Sequence, residues 1–107
     1  MTDFNDRERA FENQFARDAD MQFRIVARRN RLLGAWAAEK MGLTAEESDS
    51  YAKAVVQADF EEAGDEDVVR KLIGDLASAG VEIDESEVRK AIEEKSVEAR
   101  RHFIEGV

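Results

Sequence analysis

The sequence predicts an all-α protein: a four-helix bundle with a long first helix and a mobile N-terminal arm. Three observations carry that prediction. The 107-residue chain contains no Pro and only six Gly, so breaks are few and the elements must be long. Apolar residues recur at three-, four- and seven-residue steps through four successive segments, the spacing of one helix face. Between those segments, Gly stops alternate with capping patterns built on Thr or Asp followed by Glu. With aromatic residues at 7% of the chain, the core must be mostly Ala, Leu, Ile and Val, which suits helices better than a β-sandwich. The length is that of one domain with one modest core. We divide it into an arm over residues 1–17 and a bundle over residues 18–107.

Residues 1–17 set Phe4, Phe11 and Phe15 among dense mixed charge that includes Asp6, Arg7, Glu8, Arg9 and Glu12. As a helix, this segment would carry one thin aromatic stripe on an otherwise polar rod. Such a helix is marginal alone and gains from a partner groove; a frayed start to the long helix is the plainer reading. Residues 18–41 carry the main helix, with Phe23, Val26, Leu33 and Ala37 on its apolar side and Trp36 as a core anchor. Gly42 is a left-handed stop, and Lys40 suits the negative end of the helix dipole. Thr44-Ala45-Glu46-Glu47 is a capping box that opens a second helix, with Tyr51, Ala52, Val55, Val56 and Phe60 inward. Gly64 separates it from a third helix, capped by Asp65 and packed through Val68, Val69, Leu72, Ile73 and Leu76. Gly80 stops that helix. Val81-Glu82-Ile83 forms a short extended link touching the core, and Asp84 opens a fourth helix with Val88, Ala91, Ile92, Ala99 and Phe103 inward. Short connections favour antiparallel neighbours.

The formal net charge is -9, and it is unevenly spread. Residues 1–42 hold eight Lys/Arg against seven Asp/Glu, and residues 43–107 hold eight against eighteen. A chain this acidic is no general nucleic-acid binder. Lacking Cys, it has no thiol chemistry, disulfide or thiolate metal site. No apolar run reaches the roughly 20 residues that cross a bilayer, and the first residues do not form a secretory signal, so a soluble, cytoplasmic monomer is expected.

Candidate chemistry is sparse. Asp59, Glu61, Glu62, Asp65, Glu66 and Asp67 crowd one turn, but without the alternating pattern of a calcium loop. A solvated acidic turn with helix caps is preferred, and no metal or cofactor is expected. His102, the only histidine, stands near the surface without metal-ligand partners. No nucleophile has a base close in sequence, so the chain does not read as an enzyme. Arg24, Arg28, Arg29 and Arg31 form one positive ridge. It could contact the phosphates of ATP or ADP weakly; the preferred account pairs these guanidiniums with the chain's own carboxylates. The residues alone thus leave two functional readings, a protein-interaction module and a phosphate sensor using residues 24–31.

Further motifs narrow the choice. The runs Asp6-Arg7-Glu8, Phe11-Glu12, Phe15-Ala16, Ala27-Arg28-Arg29-Asn30, Leu33-Gly34 and Trp36-Ala37-Ala38 are joined by Asp59-Phe60-Glu61-Glu62, Gly64-Asp65-Glu66-Asp67-Val68, Lys71-Leu72 and Asp75-Leu76. Jointly they resemble the zeta subunit of alphaproteobacterial F-type ATP synthases, a family of small ATPase inhibitors. The resemblance implies a regulatory protein, peripheral to the inner-membrane ATP synthase, whose N-terminal segment wedges into a catalytic interface of the ATPase head and blocks rotation. Phe4, Phe11 and Phe15 would then be anchors, and Asp6, Arg7, Glu8, Arg9 and Glu12 would set register with charged partner surfaces.

Overall fold

Four helices form in the expected order: α1 over Asp3–Met41, α2 over Ala45–Glu61, α3 over Glu66–Ser78 and α4 over Glu85–Glu105. This computed structural model describes the backbone of residues 3–61 and 64–105, and the side chains of residues 19–59 and 64–104. The backbone is one helix from Asp3, so the segment read as an arm and the main helix share a single element. The arm's side chains and its mobility lie outside the described residues, as does the inward placement of Phe60. Helix α1 packs against all three others, α3 touches both α2 and α4, and α2 and α4 do not meet among the described residues.

Local chemistry sets most helix ends. Gly42 adopts φ 72°, a conformation that costs Gly nothing and other residues a clash at Cβ. That turn lets Leu43 N–H reach the Ala38 carbonyl at 3.0 Å, a Schellman closure that satisfies an orphan carbonyl of α1. Gly80, at φ 80°, closes α3 in the same way, with Val81 N–H donating to the Leu76 carbonyl at 2.9 Å. At the start of α2 both bonds of the capping box are made. Glu47 N–H donates to Thr44 Oγ1 at 3.2 Å, and Thr44 N–H donates to Glu47 Oε1 at 2.9 Å. Asp84 caps α4 by accepting from Glu87 N–H at 3.2 Å and from Ser86 Oγ at 2.7 Å.

The core is aliphatic. Leu33 and Ala37 of α1, Val55 of α2, Val68, Val69, Leu72 and Leu76 of α3, and Val88, Ala91 and Ile92 of α4 form one buried cluster. Trp36, Tyr51, Ile73, Val81 and Ile83 pack on it half-buried, so the link before α4 does touch the core. Phe23 departs from expectation: it is 55% exposed, and Ile25 is buried instead. Periodicity fixes which side of a helix is apolar, but not how far along it the packed interface extends.

Candidate functional site

The arginine ridge was the one positive constellation in the sequence, and the fold divides it. Arg24, Arg28 and Arg31 follow steps of four and three and so share one side of α1. Arg24 Nε lies 3.2 Å from Asp20 Oδ2, an exposed pair one turn apart. Arg31 is exposed and borders a hollow with Ser48, Asp49 and Lys53 of α2. Arg28 is half-buried, and its Nε is enclosed without a hydrogen-bond acceptor among the described residues.

Arg29 turns the other way. It is 7% exposed, and beside it Asn30 is 1% exposed. A buried guanidinium must be paired, because removal from water costs several kcal/mol unless other groups replace the lost solvent. Arg29 Nε and Nη2 donate to Asn30 Oδ1 at 3.2 and 3.0 Å. Nη2 also lies 2.9 Å from Asp65 Oδ1 and 3.9 Å from Asp59 Oδ1. One cation thus joins α1 to the last turn of α2 and to the residue that precedes α3. Asp65 was expected to cap α3; it occupies the N-cap position, but its side chain makes no cap hydrogen bond. Its carboxylate faces Arg29 instead. Self-pairing, the preferred reading of the ridge, therefore holds for Arg24 and Arg29, while Arg28 and Arg31 differ.

Two further polar hubs escaped the sequence. Between α2 and α3, Tyr51 donates its hydroxyl to Asp75 Oδ2 at 2.7 Å, and Lys71 Nζ lies 3.1 Å from the same oxygen. Lys71 also stands 5.2 Å from the Tyr51 ring centroid. Burial, with the Asp75 hydrogen bond second, pushes the Tyr51 hydroxyl well above the ordinary phenol range. Between α3 and α4, Arg89 Nη2 donates to both Glu66 oxygens at 3.1 and 3.0 Å, while its Nε donates to Glu85 at 3.2 Å. The hydrogen bond from Arg89 lowers the Glu66 carboxyl and, reciprocally, raises the guanidinium. No simple spacing pairs residues 23 or 24 apart, so only the fold could reveal either hub.

The acidic turn is therefore more than solvated charge. Asp59 and Asp65 face Arg29, Glu66 faces Arg89, and Asp67 Oδ1 accepts from Arg70 at 2.7 Å. Among the described residues no group of three or more His, Asp or Glu is placed to hold a metal. An open groove of about 790 Å³ runs between α2 and α3, lined in part by Lys53, Asp67, Arg70 and Lys71. Its cations are already engaged: Lys53 with Asp49, Arg70 with Asp67 and Lys71 with Asp75. His102 is half-buried against Phe103, with ring centroids 5.0 Å apart, and Trp36 sits under Lys40 at 5.2 Å.

Fold and site together define an acidic all-α bundle whose polar side chains join helix to helix. The family model described as ATPase inhibitor subunit zeta matches residues 1–102, and the chain belongs to that family. It is thus an inhibitor subunit and not a catalyst, and membership implies association with an F-type ATP synthase and inhibition of its ATPase. A structure solved in solution by NMR is similar: 45% identical, covering 81% of this chain and 99% of its own, with a TM-score of 0.71. No curated protein matches the chain. Among the described residues, no helix is long and apolar enough to cross a membrane.

Proposed function

We propose that the chain inhibits ATP hydrolysis by inserting residues 1–17 into a catalytic interface of the ATPase head. Phe4, Phe11 and Phe15 anchor the segment in apolar pockets; Asp6, Arg7, Glu8, Arg9 and Glu12 fix its register against charged surfaces. The segment is mobile in the free protein and becomes ordered on binding, while the bundle, too wide to follow, remains outside as a stop. One observation carries this reading beyond family membership. The first buried side chain of α1 among those described is Ile25, and residues 19–24 are exposed or half-exposed. Among the described residues, the packing that holds α1 in the bundle therefore starts at Ile25. Arg29, clamped to Asp59 and Asp65, fixes α1 near the point where that packing starts.

Inhibition of the purified cognate ATPase by the full chain carrying Phe11→Ala tests the proposal. Removing a buried interface anchor should raise the half-inhibitory concentration by about tenfold or more, at an unchanged melting temperature. Wild-type potency for this variant would contradict it.

A second role for the ridge is supported by Arg28, whose enclosed Nε lacks an acceptor among the described residues. We infer a weak phosphate contact with ATP or ADP at Arg28 and Arg31, since Arg24 is paired with Asp20 and Arg29 faces Asp59 and Asp65. Titrating ATP against amide resonances should perturb residues 24–31; shifts confined elsewhere would remove this reading.

A further inference from the structure

The outward side of α4 near its C-terminal end differs from α2, α3 and the first half of α4. Residues 43–94 hold five Lys/Arg against sixteen Asp/Glu, whereas residues 95–104 hold three against one. Val97, Arg100, Arg101 and Ile104 follow steps of three, four and seven, so they form one stripe. It lies opposite the side on which Ala99 is completely buried. Val97 is 52% and Ile104 67% exposed, two of the three large apolar side chains left open among the described residues. The four side chains frame a shallow hollow of about 120 Å³. Lys95 is drawn aside by Glu98, at 3.1 Å, while Arg100 is exposed and makes no ion pair among the described residues.

We propose that this stripe is a second docking surface for the same ATPase, rests on the inhibitor reading above, and receives an apolar side chain flanked by carboxylates. The charge identifies the occupant. An arginine-framed apolar hollow beside the strongly acidic residues 43–94 attracts an acidic surface, while those residues repel a basic one. Arginine and aliphatic side chains together also have the composition of an interface centre, where a guanidinium can bind a carboxylate in two-pronged fashion. Its position suits a joint engagement. Helix α4 packs against α1, the helix that continues into the arm, so the stripe lies on an element joined directly to it. Holding the bundle there would raise the effective concentration of the arm at its catalytic interface without adding to the insertion itself.

The test is direct binding of the full chain to the purified cognate ATPase, with Arg100→Glu and Ile104→Asp combined. Both positions are exposed, so the fold should survive, and thermal melts verify it. The double variant should bind at least tenfold more weakly, and its affinity should depend less steeply on salt than that of the wild type. Arg100→Lys alone should retain most of the affinity. Wild-type affinity for the double variant would overturn the proposal. So would a wild-type dimer, seen by sedimentation, that the double variant dissolves, because the occupant would then be a second copy of the chain. Phe11→Ala, run alongside, separates the two claims: undiminished inhibition there refutes the arm while leaving the affinity comparison at α4 to be read independently.

Discussion

Gly34 and Gly74 are both interior helical glycines, yet the fold uses them in opposite ways. A Cβ built on Gly34 would meet Ala52 Cα at 2.5 Å and Ala52 Cβ at 3.0 Å, so α1 and α2 approach there at backbone distance. A Cβ on Gly74 would meet nothing within 4 Å. Gly34→Ala should therefore destabilise the protein by about 1–3 kcal/mol through overpacking, despite its better helix propensity. Gly74→Ala should stabilise it by about 0.5–1 kcal/mol. Urea denaturation of the two variants checks both signs; a stabilised Gly34→Ala would mean that α1 and α2 can move apart freely. Arg29 belongs at the same scale. Arg29→Ala strands Asp59, whose side chain is 17% exposed, and frees Asp65, which is 45% exposed and recovers water. A loss of roughly 1–3 kcal/mol follows, below the cost of breaking a fully buried pair. Unchanged stability in the same denaturation experiment would show that the clamp is dispensable. Arg29's burial had a signal in the sequence: it sits four and eight residues before Leu33 and Ala37, on their apolar stripe. The close approach at Gly34 had none, because a glycine's neighbour across a helix crossing is a tertiary fact.

Helix ends were legible because their causes lie within a few residues. Thr44 and Glu47 cap α2 by bonds that any helix starting there can make, and Gly42 and Gly80 take the positive φ that a helix stop requires. Asp65 shows the limit of such reading, since its local role as a cap lost to a long-range cation. The caps also predict an acid response. The Thr44 amide and hydroxyl hold the Glu47 carboxyl below its ordinary value of 4.5, and Ser86 with the Glu87 amide hold Asp84 below 3.8. Depressed carboxyls lend stability that is fully present above their unfolded values and is lost as pH falls through the lower folded ones. Glu47→Gln combined with Asp84→Asn should therefore lose less stability between pH 6 and pH 3 than the wild type. Thermal melts at the two pH values decide it, and an equal or larger loss in the variant would remove the caps as the source. Thr44→Ala should cost about 1 kcal/mol by removing the other half of the box.

Across the whole molecule, charge and packing are divided along the chain. The aliphatic core and its interhelical cations Arg29 and Arg89 lie downstream of Ile25, whereas Phe4, Phe11 and Phe15 precede the described core in the chain. On the reading proposed above, this separation would let a bundle and an inserting segment be parts of one small chain. In the proposed mechanism the segment inhibits and the bundle does not. Its most direct measurement is ATP hydrolysis by the purified cognate ATPase with the full chain or with a chain lacking residues 2–17, each checked by its thermal melt. Inhibition by the full chain and none by the shortened one are expected, with both forms melting cooperatively at similar temperatures. Equal inhibition by the two would contradict it.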